Sequence, residues 1–261
     1  MCFRPVISLT SIACALLVTV AAEQAKPPAK PAGAAAPIDD LFDGKSLNGW
    51  RGYKKADATG SRWTVQDGML TLPADDGKDT RGARDIISEG TYDLFNLTWE
   101  WKISEGGNSG LKYFVLEDRD SAIGHEYQMI DDARHPDAKI GPHRQTTAFY
   151  DVLAAGSGTF SQQIAAPGMR PVKPAGEWNK SGVRVDKSRI IPGGTRVYHY
   201  LNDVRVLEYE LNSHALDELI EKSKFKGIER FGKLQKGHIL LQDHGDQVWY
   251  RNIKIQKLGS S

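Results

Sequence analysis

A histidine that lies among carboxylates near the C-terminal end is the first group in this sequence that could do chemistry. Gln242, Asp243, His244 and Asp246 directly follow an apolar segment. An imidazole that a carboxylate orients can accept a proton near neutral pH, which is the role of a general base. We therefore predict that His244 is catalytic and that Asp243 or Asp246 orients its ring. A hydrogen-bonded turn or a metal site would use the same residues.

A second polar cluster lies within a predicted strand, in the segment GHEYQMIDD. Side chains alternate along a strand, so Glu126 and Gln128 share one face, and a bulge near Ile130 would bring Asp131 onto it. The spacing E-x-Q-x-x-D is similar to the E-x-D-x-x-E strand of retaining glucanases of the laminarinase and lichenase type. Gln128 replaces a carboxylate and Asp131 is shorter than glutamate, so the close nucleophile and acid pair of those enzymes is not expected. A solvated strand face is the alternative.

A third cluster surrounds the glycine-rich turn of WEWKISEGGNSGLKYF. Four polar residues surround this turn and could bind a polar ligand, namely Glu100, Lys102, Asn108 and Lys112. A plain β-hairpin would also account for the pattern.

Several classes of function are excluded by what the sequence lacks. It has no P-loop, dinucleotide fingerprint, G-x-S-x-G elbow or H-E-x-x-H helix. Lys and Arg number 34 against 33 acidic residues, so no strong field would attract nucleic acid. The two cysteines, Cys2 and Cys14, fall in the first 22 residues, so thiol chemistry is not expected in a mature chain.

The elements that must position these clusters are mostly strands. The segment FNLTWEWKI alternates apolar and polar residues, and similar runs recur between Gly, Pro, Asn and Asp. The count predicts an all-β fold, a two-sheet antiparallel sandwich with one short inserted helix at about residues 214–223 and a hairpin at LND. The predicted core includes Trp99, Trp101, Val183, Val185, Ile239 and Leu241.

The N-terminal residues predict export. Residues 1–22 place Arg4 before an apolar stretch that ends in small residues, as in a signal peptide. Residues 23–37 are rich in Pro and Ala and indicate a linker. The folded domain should span residues 38–258, in a periplasmic or secreted protein with no membrane contact after cleavage. A retained anchor and a lipid on Cys14 are the alternatives.

The ordered segments LFDGKSLNGW, WTVQDGML, WEWKISEGGNSGLKYF, GHEYQMIDD, AFYDVLA, GEWN, YLNDVRVLEYEL, KSKF and GHILLQDHGDQVWYRNIKI resemble the 3-keto-disaccharide hydrolase family over roughly residues 38–258. The sequence departs from it at His125, where the family more often has Pro, and at LND, usually LNG. The resemblance implies a concanavalin A-like jelly-roll sandwich. It also implies cleavage of the glycosidic bond in an oxidised, 3-keto disaccharide or glycoside.

A ketone at carbon 3 acidifies the hydrogen on carbon 2, and the anomeric oxygen can then leave by elimination before water adds. In that chemistry we expect His244 as the base, Glu126 as the acid, and Lys112 or Arg251 as the cation that faces the enolate. The remaining substrate-binding residues are expected to be Glu100, Asn108, Gln128, Asp131, Asp246 and Trp249. No cofactor is required, although a divalent cation held by Glu126, Asp131 and His244 could replace the cationic side chain.

Two other functions fit the same fold. A carbohydrate-binding module without catalysis would also use Asp, Asn and aromatic side chains to hold sugars. A secreted interaction module without a sugar ligand is the third possibility. The fold alone does not choose among them.

Overall fold

The computed structural model describes residues 36–77, 85–156, 170–234 and 236–259, together with Met1. Apart from Met1, the predicted signal peptide and the linker up to residue 35 therefore lie outside the described residues. Within the described part of the chain, no helix is both long enough and apolar enough to cross a membrane.

The described residues form strands, two short 3₁₀ turns and one α-helix. In chain order the strands are β1 (Ile38–Asp40), β2 (Trp50–Gly52), β3 (Thr64–Gln66), β4 (Met69–Leu72), β5 (Ile86–Tyr92), β6 (Phe95–Ile103), β7 (Asn108–Val115), β8 (His125–Ile130), β9 (Asn179–Lys187), β10 (Thr195–Leu201), β11 (Val204–Glu210), β12 (Gly237–Leu241) and β13 (Val248–Lys257). The 3₁₀ turns are Asp137–Lys139 and Pro142–Arg144, and the helix α1 is His214–Ile220.

The strands form two antiparallel sheets. The eight-stranded sheet has the order β11-β10-β9-β6-β13-β4-β3, with β1 also paired to β13. The five-stranded sheet has the order β2-β5-β12-β7-β8. The prediction of an all-β, two-sheet antiparallel sandwich is confirmed.

The inner faces of the two sheets make the core. In β6 every second side chain from Phe95 to Ile103 is buried, as the alternation predicted. Trp99 meets Tyr127 of the other sheet edge to face at 4.9 Å between ring centroids, so the sheets are in direct contact. All the predicted core residues are buried, and each fully buried Val or Leu contributes roughly 1.5–3 kcal/mol.

The predicted helix and hairpin are both present. Ser213 caps α1 by accepting a hydrogen bond from the Leu216 N–H at 3.2 Å. The helix is shorter than expected and ends at Ile220, whose carbonyl accepts the Ser223 N–H in a turn. Asn202 and Asp203 join β10 to β11 with φ of 47° and 66°, values typical of the tight hairpin turn that suits the twist of paired strands.

Candidate active site on the outer face of the five-stranded sheet

The alternation of β7 and β8 separates their core side chains from a polar outer face. Leu111 and Tyr127 pair across the two strands and point inward, while Lys112 is paired with Glu126. Gly110 is paired with Gln128 on the same outer side. The structure therefore brings Lys112, Glu126 and Gln128 together.

Gly110 has no side chain, so the side chains of Gln242 and Glu126 approach its backbone on this face. A Cβ atom there would lie 3.0 Å from Glu126 Oε1 and would clash with Gln242 Oε1. Gln242 arrives from the end of β12, where its N–H donates to the Gly110 carbonyl at 3.0 Å. Its Oε1 is buried, and no described residue donates to it. The Gln242 amide therefore occupies the space over Gly110, and its buried Oε1 lies beside the Glu126 carboxylate.

Glu126 itself is buried beside positive charge. Only 4% of the residue is exposed, and its Oε2 lies 3.8 Å from Lys112 Nζ. The same ammonium donates to the Ala122 carbonyl at 3.0 Å. Among the described residues this long contact is the only ion pair of Glu126, which leaves lone pairs of the carboxylate for a substrate.

His244 lines a cavity that borders this polar face. The cavity has a volume of ≈ 430 Å³, and its walls include Tyr53, Asp85, Lys112, Gln242, Asp243 and His244. Lys112, which pairs with Glu126 across β7 and β8, lines this cavity, so His244 is on the same side of the sandwich as Glu126. The imidazole is exposed to solvent, so a substrate could reach it.

Asp85 is a carboxyl group in this cavity that the sequence analysis missed. Burial raises its pKa, and a hydrogen bond from the Asp243 N–H at 3.0 Å and the charges of Lys112 and His244 oppose the increase. A carboxyl group with a raised pKa in a cavity is a candidate proton donor or acceptor. Asp85 stands just before β5 in no recognisable motif, so no local signal could have identified it.

Lys224 is a second group that the sequence analysis passed over. Its Nζ lies 4.1 Å from the centroid of the Tyr150 ring. Partial burial lowers its pKa, as do Lys112 and Arg144, while the charges of Glu126 and Asp151 act in the opposite direction. Lys224 therefore shares the electrostatic environment of Glu126. Its segment KSKF was one of the blocks that carried the family resemblance, which is the only signal that pointed to it.

Asp243 does not orient the imidazole in this structure. Arg62 Nη1 donates to its two oxygens at 2.9 and 3.2 Å, and the Gly245 N–H donates to Oδ1 at 2.8 Å. The Asp246 carboxylate accepts the Asn108 N–H at 2.9 Å. Among the described residues no hydrogen bond joins His244 to either aspartate, because both carboxylates bind other groups.

Asp131 also differs from the expectation, because β8 pairs with β7 in an unbroken register through Ile130 and has no bulge there. Its carboxylate accepts the N–H groups of Gly106 and Ala133 at 2.9 and 3.0 Å in the turn after the strand. Burial opposes its ionisation, but these bonds and Arg134 hold the pKa of Asp131 below its usual range. The described residues contain no group of three His, Cys, Asp or Glu side chains placed to hold a metal, so Glu126, Asp131 and His244 do not form the expected cation site.

Glu100, Trp249 and Arg251 lie on the opposite side of the sandwich. All three belong to strands of the eight-stranded sheet and alternate with the buried Trp101 and Tyr250, so they occupy its outer face. Glu100 accepts hydrogen bonds from Arg251 Nε at 2.7 Å and Asn252 Nδ2 at 2.9 Å. These residues are therefore not brought together with Glu126. Asn108, at the start of β7, lies on the same face of that strand as Gly110 and Lys112.

Comparison with known proteins adds to this geometry. A family model described as the 3-keto-alpha-glucoside-1,2-lyase-like domain matches residues 37–256. The chain belongs to this family. A relative from Bacteroides thetaiotaomicron, named 3-keto-disaccharide hydrolase, is 36% identical to this chain over 244 residues. The match covers 84% of this chain and 77% of the relative.

Solved structures agree with this membership. A candidate glycosyl hydrolase from Parabacteroides distasonis superposes with a TM-score of 0.67 at 27% identity, covering 85% of this chain and 94% of that chain. A second one from the same organism has a TM-score of 0.57 at 24% identity, covering 85% and 100%, and supports the fold. The chain is therefore similar in sequence and fold to a candidate glycosyl hydrolase.

Proposed function

We propose that this protein cleaves the glycosidic bond of 3-keto disaccharides or 3-keto glycosides by elimination followed by addition of water. The observation that carries the proposal is the outer face of the five-stranded sheet, where Lys112 Nζ lies 3.8 Å from Glu126 Oε2 and Lys112 lines the same cavity as His244. The family supplies the substrate class. This face of the sheet carries side chains that could serve as the acid, the base and the cation.

The first step is removal of the hydrogen on carbon 2. His244 takes this proton, and the electron pair moves toward the ketone oxygen to form an enolate. Lys112 faces that oxygen and stabilises its charge. Lys112 is proposed for this role rather than Arg251, because Arg251 belongs to the outer face of the other sheet.

The second step expels the leaving group. The enolate re-forms the ketone, a double bond forms between carbons 1 and 2, and the bond from carbon 1 to the glycosidic oxygen breaks. Glu126 protonates that oxygen. Water then adds to carbon 1 and a proton returns to carbon 2, so the net reaction is hydrolysis. Asp85, whose pKa burial raises, is a second candidate for these proton transfers.

The decisive experiment compares 3-keto-trehalose with unoxidised trehalose in D₂O, with products followed by mass spectrometry. We expect cleavage of the keto sugar alone, with deuterium at carbon 2 beyond that of an enzyme-free control. His244→Ala should reduce turnover by about 10²- to 10⁴-fold without unfolding the protein. Equal cleavage of trehalose would contradict the mechanism. Saturable binding without cleavage would instead favour a carbohydrate-binding module.

We also propose that the protein is exported, since residues 1–22 have the order of a signal peptide. Fractionation of cells that express the full chain should recover a protein starting near Glu23 outside the cytoplasm. Recovery of the uncleaved chain in the cytoplasm would contradict export.

A further inference from the structure

The loop that follows α1 holds Lys224 beside the edge of the five-stranded sheet. The Lys224 N–H donates to Asp151 Oδ2 at 2.7 Å, and the Lys224 ammonium lies over the Tyr150 ring. Although much of the residue is exposed, the first contact holds its backbone and the second places its ammonium against the Tyr150 ring.

A charged frame supports that position. Arg144 bridges Asp151 and Asp137, with Nη2 and Nη1 each 2.7 Å from a carboxylate oxygen. The Tyr150 hydroxyl donates to Asp137 Oδ2 at 2.9 Å, so the ring beneath Lys224 is held at its far end. The Tyr150 N–H donates to the Glu126 carbonyl at 3.1 Å. The frame is therefore attached to the strand that carries the proposed acid.

The order of elements across the sheet places Lys224 on a particular side of Glu126. The cavity with Asp85 and His244 lies over β5 and β12, Lys112 follows on β7, and Glu126 follows on β8. The segment with Tyr150 comes next, beyond β8. A keto sugar between His244 and Glu126 would direct its leaving group past Glu126 and toward Lys224.

We propose that Lys224 is a catalytic residue that stabilises the departing glycosidic oxygen, an inference that rests on the function proposed above. When the bond from carbon 1 to that oxygen breaks, the electron pair stays on the oxygen. Glu126 supplies the proton, while the Lys224 ammonium donates a hydrogen bond to the oxygen as its negative charge develops. Lys112 serves the ketone oxygen, so the two lysines act on opposite ends of the elimination.

The electrostatics of the loop support this role. Partial removal of water from the ammonium lowers the pKa of Lys224, and a partly dehydrated cation interacts more strongly with a nearby developing charge. No other reaction step is assigned to Lys224.

The test varies the leaving group. A 4-nitrophenolate ion departs without help, whereas the glucose of 3-keto-trehalose needs its oxygen stabilised. We expect Lys224→Met to lower kcat/KM for 3-keto-trehalose by about 10²- to 10³-fold, and for 4-nitrophenyl 3-keto-glucoside by less than about 5-fold. Lys224→Arg, which keeps the charge, should recover part of the lost activity on 3-keto-trehalose.

Two lysine variants complete the design. Lys112→Met should reduce activity on both substrates to the same extent, because both need the enolate. Lys226→Met is the matched control on the same loop, since Lys226 is exposed and paired with Glu221 at 3.2 Å, and it should leave both activities unchanged. If the methionine variant of Lys224 does not fold, as judged by circular dichroism, Lys224→Gln takes its place.

The outcomes separate the two proposals. Equal losses on both substrates, or no loss on either, in a folded variant of Lys224 would overturn its role at the leaving oxygen while the proposed function stands. Failure of the unmodified protein to cleave either substrate would overturn the proposed function and this inference with it.

Discussion

Substitution of Gly110 by alanine tests whether the chemistry occurs on the outer face of the five-stranded sheet, beside Glu126 and Gln242. A Cβ at position 110 would clash with Gln242 Oε1 and approach Glu126 Oε1 to 3.0 Å. Real Cβ contacts essentially never fall below 3.0 Å. The Gln242 carbonyl must therefore retreat by about 1 Å, a displacement that can cost ~10²-fold in rate when it misplaces reacting groups.

The cost in stability should be smaller than the cost in activity. Gly110 has no positive φ, so alanine introduces no backbone strain there. The clash involves the end of a side chain, and overpacking of this kind costs typically 1–3 kcal/mol. We expect the free energy of unfolding to fall by about 1 kcal/mol, at the lower end of that range.

The assay combines urea unfolding with turnover of 3-keto-trehalose. The double variant Gly110→Ala, Gln242→Ala lacks the amide that would clash. Adding Gly110→Ala to the Gln242→Ala protein should therefore lower the free energy of unfolding much less than adding it to the unmodified protein. Gly182→Ala is the matched control, because Gly182 lies in β9 of the other sheet and its added Cβ would approach the Leu97 carbonyl to 3.3 Å. A folded Gly110→Ala protein with full activity would refute the reasoning, as would an equal loss in the Gly182 variant.

Three further results are expected. Arg62→Met should lower the free energy of unfolding in urea by about 3–5 kcal/mol, because it leaves the fully buried Asp243 side chain without its ion pair. A loss below about 0.5 kcal/mol, as for a typical surface substitution, would contradict this. Burial lowers the pKa of His125 to about 3, and the neutral ring accepts the Gly232 N–H at Nε2. The ring therefore contributes its full stabilisation above the pKa of ~6.5 that His has in the unfolded chain. This stabilisation is lost as the pH falls toward 3. His125→Gln should flatten that part of the curve of unfolding free energy against pH, and an unchanged curve would count against the assignment. Arg251→Met should leave kcat/KM within about 2-fold of the unmodified value, since Arg251 is on the outer face of the other sheet, and a large loss would require that face to bind substrate.

Local patterns were enough to predict the elements of this fold. The alternation in β6 predicted which side chains enter the core, the apolar stripe and Ser213 predicted α1, and LND predicted the hairpin. Each of these features depends on residues a few positions apart, so the spacing of residues in the sequence is enough to predict it. The same reasoning placed Glu126 and Gln128 on one strand face, and the structure has them there.

The expected bulge at Ile130 shows where a local reading was insufficient. Nothing in GHEYQMIDD distinguishes a bulged strand from a regular one that ends in a turn. The N–H groups of Gly106 and Ala133 decide the outcome, because they bind the Asp131 carboxylate just after β8 ends. Gly106 belongs to the turn before β7, and β7 is the neighbour of β8 in the sheet. This hydrogen bond therefore depends on how the two strands pair.

The composition of the site was decided only by the tertiary structure. The sequence by itself determined the two-sheet class, the face that each strand residue takes within its own strand, and the chemical types available for acid and base work. It did not determine which sheet each strand joins, and that assignment puts Glu126 and Lys112 on one outer face and Glu100 and Arg251 on the other. Asp243 binds Arg62 across 181 positions of the chain, and Lys224 reaches the environment of Glu126 from a distant loop. Such contacts depend on how strands pair over long separations, for which the spacing of neighbouring residues carries no information.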